Sequence, residues 1–190
     1  MASGDFKNAV GISKLFIENY VQAGSSVLDC TVGNGKDTKL MAEKVGPEGL
    51  VYGFDIQLDA INITRNLLKK YDLEARVKLI NENHIYIDKY IEEELDFIIY
   101  NLGYLPGGDK KIITQADTSM LSIKKSLNLL KRGGYLLIIS YIGHPGGLVE
   151  KDEIKDLLQS LEQTEFTVIE SQFINQSNRP PILYLVERAV

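Results

Sequence analysis

Short apolar runs along this chain alternate with longer stretches whose apolar residues recur at helical spacing. Residues 6–21 place Val10, Ile12, Leu15, Phe16, Ile17 and Tyr20 near one helical stripe, and Gly24 ends it. A short apolar run then closes on Asp29. Residues 36–45 read as a helix with Leu40 and Met41 inward, stopped by Gly46-Pro47-Glu48-Gly49. A second strand covers residues 50–55, and a helix over residues 58–71 carries Lys69-Lys70 at its end, where the dipole favours cations. The third strand, residues 77–80, is followed by a short helix reaching Ile91. The fourth strand is residues 97–100, and the longest helix covers residues 113–130. Lys131-Arg132-Gly133-Gly134 turns into a fifth strand, residues 135–141, and a helix follows over residues 150–161. Two final strands, residues 166–173 and 181–187, are joined by a polar link too short for a helical crossover, so they should pair antiparallel.

The alternation predicts an α/β fold, doubly wound and Rossmann-like. Its seven-stranded sheet is mainly parallel with an antiparallel C-terminal strand. No repeat, linker or low-complexity run interrupts it, and 190 residues suit a single domain over residues 1–190. The net charge of -5 gives no global basic field to attract nucleic acid. An RNA partner would have to be met by a local patch or by a homodimer that pools such patches. The single cysteine, Cys30, excludes an internal disulfide and a multi-cysteine zinc site, and no metal is expected. Cys30 reads as a small buried filler, since no activating base lies near it in sequence. The first residues do not resemble a signal peptide, and no apolar run approaches a membrane span. A cytoplasmic protein is the expectation.

The candidate chemistry starts at Asp29-Cys30-Thr31-Val32-Gly33-Asn34-Gly35-Lys36-Asp37-Thr38, a strand end, a glycine turn and a helix start. Such a turn lets backbone approach a ligand, and the helix offers free N–H groups. The same turn can also do no more than join strand to helix. Twenty positions after Gly35 stands Asp55, followed by Ile56 and Gln57. An acid there can accept hydrogen bonds from both ribose hydroxyls of an adenosine. Asp29 at the loop mouth would repel a pyrophosphate but suits an ammonium and a sulfonium. That favours S-adenosylmethionine over NAD. Thr31, Gly33, Asn34, Gly35, Asp37 and Thr38 complete the expected cofactor loop. The terminal hairpin is unlike a nicotinamide domain and like a class I methyltransferase.

Ligands of open α/β sheets sit beyond the carboxyl ends of the strands. Those ends supply Asn83 and His84, expected at adenine, with a solvent-facing helix start as the alternative for His84. They also supply Asn101-Leu102-Gly103-Tyr104, which resembles the Asn-Pro-Pro-Tyr element of methyltransferases that act on amino nitrogen, both prolines being replaced. The Asn101 oxygen and the Leu102 carbonyl can accept the hydrogens of an amine, and Tyr104 can stack on a base. Gly103 is placed beside the cofactor. His144 either assists proton removal, touches substrate or packs in its loop. Lys110-Lys111 can meet phosphate, whereas Lys124-Lys125 and Lys131-Arg132 read as a solvated helix face.

The run from Asp29 to Thr38, with Gly53-Phe54-Asp55-Ile56-Gln57, residues 101–110 and Gly143-His144-Pro145-Gly146-Gly147, resembles the small bacterial "putative rRNA methylase" family of class I methyltransferases. The resemblance spans nearly the whole chain. It implies S-adenosylmethionine as donor. Within the family it also implies a tRNA activity: methylation of the side-chain amine of 5-aminomethyl-2-thiouridine at the wobble position, with the anticodon loop as partner. Asn101, Tyr104 and His144 are then the expected catalytic residues. Methylation of rRNA or of a small molecule, an NAD-dependent reductase, and a non-catalytic S-adenosylmethionine-binding module are the alternatives.

Overall fold

The computed structural model describes residues 7–103 and 113–190. Seven strands form one sheet: β1 (Ser26–Asp29), β2 (Leu50–Phe54), β3 (Val77–Ile80), β4 (Leu95–Leu102), β5 (Leu130–Ser140), β6 (Phe166–Ser171) and β7 (Ile182–Arg188). Five α-helices alternate with them: α1 (Ala9–Tyr20), α2 (Lys36–Val45), α3 (Leu58–Lys70), α4 (Ala116–Leu129) and α5 (Gly147–Gln159). The strand order is β3-β2-β1-β4-β5-β7-β6. β1 to β5 pair in parallel, and β7 runs antiparallel to both β5 and β6. From β1 the chain winds outward to β3, then returns to lay β4 on the other side of β1. The reversal opens a crevice between the carboxyl ends of β1 and β4, the place where such sheets bind ligands.

Central strands are buried on both faces, and their sequences read as continuous apolar runs for that reason. Phe97, Ile98, Ile99 and Tyr100 of β4 are all buried, as are Leu136 to Ile139 of β5. One face packs Val27, Val51, Phe97, Ile99 and Leu137 against Ile17 of α1, Met41 of α2 and Leu68 of α3. The other packs Leu28, Phe54, Ile98 and Ile138 against Ile123 of α4 and Ile154 of α5. Each fully buried aliphatic or Phe side chain contributes about 1.5–3 kcal/mol from desolvation. Tyr100 is the polar exception. Its hydroxyl shares hydrogen bonds with Ser122 and Ser126 of α4 at 2.6 and 2.7 Å, which satisfies it in the core.

The elements lie where the patterns place them, with shifted ends. The short helix before Ile91 is two tight 3-10 turns over His84–Lys89, entered by Asn83, whose side chain accepts the Ile85 N–H at 3.0 Å. β4 runs two residues past its expected end, so Asn101 and Leu102 are strand residues paired with Ile139 and Ser140. β5 begins at Leu130, which pairs with Leu95 before a bulge carries the chain to the Phe97–Tyr135 pair. Gly133 turns that bulge at φ 74°. Gly134 lies so close that a Cβ would meet the Lys131 carbonyl oxygen at 2.8 Å and two β4 carbonyl oxygens at 3.1 Å.

Gly134→Ala therefore overpacks rigid backbone. Urea denaturation should show a loss of about 1–3 kcal/mol. Gly143→Ala, where a Cβ would meet no described residue within 4 Å, should leave the midpoint unchanged.

Candidate active site

The carboxyl ends of β1, β2 and β4 open into a cleft of about 480 Å³. β1 ends on Asp29, which is 1% exposed. Its Oδ1 accepts the Thr31 N–H at 3.1 Å and its Oδ2 accepts the Thr38 hydroxyl at 2.6 Å. The carboxylate thus ties the first residue of the loop to the first turn of α2. Burial, and next the charge of Asp37, push the Asp29 carboxyl up to about 7. Asp37, in the first turn of α2, and Asp55, beyond β2, are also raised, each chiefly by burial. Asp55 accepts the Gly33 N–H at 2.8 Å and the Gln57 N–H at 2.9 Å, so it holds the glycine loop and the entry to α3 together. All three carboxylates line the same cleft.

The glycines serve the loop's own geometry. Gly33 and Gly35 have φ of 53° and 74°, in the left-handed region. A Cβ on Gly35 would meet the Thr64 side chain at 2.5–2.9 Å. Gly35 does not line the cleft; it lets α3 pack beneath the loop, where Thr64 Oγ1 donates to the Gly33 carbonyl at 3.1 Å. Thr38 is likewise buried under Asp29 instead of facing the cleft. Expected at the cofactor, these two support the loop and do not line the cleft.

The other wall brings Asn101 and Gly103 from the end of β4. The Asn101 backbone N–H donates to Thr31 Oγ1 at 2.7 Å, and its side-chain Nδ2 donates to Asp37 Oδ2 at 2.9 Å. Leu102 is buried, and its carbonyl accepts the Tyr141 N–H at 2.9 Å within the sheet. That carbonyl already serves one backbone hydrogen bond, from a strand position where a loop was anticipated. Tyr104 and Lys110-Lys111 lie outside the described residues. Thr31, Asn34, Ile56, Gln57 and Asn83 line the cleft as expected. Cys30 also lines it, and burial raises its thiol well above the usual range, which suits filler and not a nucleophile.

Two histidines take places that the sequence left open. His84 is buried at 8% exposure, edge-on to Tyr100, and does not face solvent. Burial lowers it to about 4, so the ring is neutral at physiological pH, and among the described residues its Nδ1 has no partner. His144 is not among the cleft residues. Its side chain is 3% exposed, with Nδ1 on the Pro145 carbonyl at 3.0 Å and Nε2 3.9 Å from Glu150 Oε2. The last distance is too long for a hydrogen bond. The turn that starts α5 folds the imidazole inward, the packed arrangement among the three roles left open for His144.

Sequence reasoning missed several cleft residues. Val10 comes from α1, Tyr141 from beyond β5, and Thr114, Gln115 and Thr118 from the approach to α4 and its first turn. Glu82 adjoins Asn83 in the same strand-end stretch, which was signal enough to include it.

This chain matches the family model described as "Putative rRNA methylase" over residues 51–187. It is 34% identical to a chloroplastic tRNA (mnm(5)s(2)U34)-methyltransferase of Arabidopsis thaliana, over 96% of this chain and 70% of that protein. A crystal structure named as a putative rRNA-methylase from Clostridium thermocellum superposes with a TM-score of 0.92 at 40% identity, covering 95% of this chain and 97% of that one. The chain belongs to this methylase family. A further crystal structure of similar fold, a putative methyltransferase from Streptococcus mutans solved in complex with SAH, has a TM-score of 0.85 at 37% identity, covering 94% of this chain and 97% of that one. The family's fold is that of class I S-adenosylmethionine-dependent methyltransferases, and the sheet order and antiparallel β7 of this methylase are its hallmarks. Among the described residues no cluster of side chains could hold a metal ion, and no helix is long and apolar enough to cross a membrane.

The raised Asp29 carboxyl carries a stability signature. Its folded-state value, about 7, lies above the ordinary 3.8, so the folded state holds the proton more tightly. That contribution is complete below pH ~4, erodes as pH rises and is gone above about 7. Asp29→Asn should raise the thermal midpoint at pH 8 but hardly at pH 4. Scanning calorimetry should show a gap that widens across that window, on the order of 4 kcal/mol at most.

Proposed function

We propose that this methylase transfers a methyl group from S-adenosylmethionine to the side-chain amine of 5-aminomethyl-2-thiouridine at the wobble position of tRNA. The observation that carries this reading is Asn101. It stands in the cleft at the end of β4 beside a carboxylate, where an amide oxygen can accept an N–H from an incoming amine. The Arabidopsis relative, whose name specifies that class of wobble uridine, supports the same acceptor.

The lining fits the donor. Three carboxylates suit a ligand that carries an ammonium and a sulfonium. Asp55 keeps a second lone pair on each oxygen for ribose hydroxyls. Neutral His84, which lines the cleft and whose buried Nδ1 has no partner among the described residues, suits the uncharged edge of a purine. Bound S-adenosylmethionine supplies an electrophilic methyl carbon. The chain's residues hold the acceptor in line with it, and such alignment can remove roughly 7–11 kcal/mol of barrier. An alkylamine has a pKa near ~10, so its ammonium form must lose a proton first. Desolvation in the cleft favours that loss. Asn101 then takes one N–H of the neutral amine and leaves the lone pair for carbon. The anticodon loop is the RNA element that must reach the cleft. An acidic chain meets it through local basic patches, on one copy or across a homodimer.

Nucleoside mass spectrometry of tRNA from cells lacking this protein should show the 5-aminomethyl precursor accumulating. Wild type should clear it and Asn101→Ala should not, with rRNA digests unchanged throughout. No accumulation would remove the wobble assignment. Asp55→Ala should weaken S-adenosylmethionine binding by about 1–3 kcal/mol in calorimetry through lost charge-assisted hydrogen bonds. An unaltered dissociation constant would place the ribose contact elsewhere.

A further inference from the structure

The two ends of an asparagine amide have nearly the same shape, so shape alone does not decide which end faces a ligand. At Asn101 a neighbour decides it. Asp37 Oδ2 lies 2.9 Å from Asn101 Nδ2, and Asp37 Oδ1 lies 3.2 Å from the Ser13 hydroxyl of α1, whose hydrogen it shares with the Val10 carbonyl at 3.0 Å. Burial raises the Asp37 carboxyl, but the hydrogen bonds from Asn101 and Ser13 and the nearby charge of Lys36 favour its ionised form, and an ionised carboxylate has no hydrogen to give. Turned over, the amide would set its oxygen against a carboxylate oxygen, with no proton between them. The NH2 end is therefore fixed on Asp37. Among the described residues Oδ1 accepts no hydrogen bond.

We propose that Asp37 is a positioning residue for the methyl acceptor: it locks the Asn101 amide so that the site presents a hydrogen-bond acceptor, and so selects a nucleophile that carries an N–H. This rests on the amine-methylation reading above and moves Asp37 from the donor's side of the cleft to the acceptor's. The bound amine donates one N–H to Asn101 Oδ1, which aims its lone pair. That pair forms the new N–C bond as the C–S bond breaks and its electrons stay on sulfur, leaving a neutral thioether. The nitrogen gains a positive charge and sheds one N–H proton to water. An acceptor with no N–H, such as an enolate carbon or a thiolate, gains nothing from Oδ1. Asp37 needs no contact with either substrate. It acts through one hydrogen bond, and Ser13 fixes the carboxylate from a helix that precedes the whole sheet.

The test is a reciprocal exchange in the full chain, assayed on tRNA bearing 5-aminomethyl-2-thiouridine. Asp37→Asn leaves an amide that can satisfy either end of Asn101, so the lock is lost. kcat should fall about 10- to 100-fold, while the S-adenosylmethionine dissociation constant and the circular dichroism spectrum stay put. The double variant D37N/N101D restores the donor–acceptor pair with its direction reversed, and position 101 still presents an oxygen to the amine, because a carboxylate offers oxygen whichever way it turns. It should recover most of the lost kcat. An unchanged kcat in D37N would overturn the proposal, as would a double variant no better than the single. Weakened donor binding in D37N would return Asp37 to the donor's side and overturn it too. A wild-type chain inert on this tRNA would remove the amine acceptor, and with it both the functional reading and this inference. A wild type that is active beside an unaffected D37N removes the inference alone.

Discussion

Three carboxylates share one cleft, and keeping them there is the constraint around which the rest is arranged. Burial leaves all three poorly solvated and raises each above the ordinary carboxylate range, and at Asp29 the charges of Asp37 and Asp55 add to the shift. The fold holds them with hydrogen bonds from its own backbone and hydroxyls: Thr31 and Thr38 on Asp29, Gly33 and Gln57 on Asp55, Ser13 and Asn101 on Asp37. Each bond also fixes a piece of the loop, so the glycine turn is shaped by the charges it carries. A cationic ligand would relieve the repulsion.

The sheet makes this possible because its reversal point lies between β1 and β4. One face of that junction is largely apolar and holds the Tyr100 hydroxyl on its two serines, with His84 edge-on beside it. The opposite face carries Asp37, Ser13 and Asn101, contributed by α2, α1 and β4. Alternation along β4 separates the two: Tyr100 points to the α4 side and Asn101 to the α1–α2 side. A one-residue slip in β4 would bury the amide and expose the phenol, so its register against β5 matters to chemistry as well as stability. Glu150 on α5 is a further buried carboxylate. It accepts the Thr114 and Ser119 hydroxyls at 3.0 and 2.6 Å and ties α5 to the residues that lead into α4.

Much of this was legible along the chain. Period-2 and period-3.6 patterns located the seven strands and five helices, because burial of one stripe or both faces leaves a direct mark on sequence. Strand-end residues Asp29, Asp55, Asn83 and Asn101 were identifiable as neighbours because a parallel sheet aligns its carboxyl ends. Ends of elements were less legible. Asn101 and Leu102 sat after an apolar run and read as loop, yet pairing with β5 extends the strand through both. His144 read as a site residue because its loop follows a strand. The direction in which its ring folds, toward Glu150, depends on the start of α5 and left no local signal.

The sequence by itself determined the alternation of elements, the acid at the end of the first strand, and the glycines that a left-handed turn requires, since these rest on periodicity and backbone sterics. Tertiary structure alone decided that Ser13, Asp37 and Asn101, separated by 24 and 64 positions from Asp37, form one hydrogen-bonded row. It alone decided that Gly35 makes room for Thr64 instead of a ligand, and that His84 is buried and neutral. Directional bonds and close packing between distant segments exist only once the chain has closed on itself, and no local pattern encodes which oxygen a carboxylate will turn toward which amide.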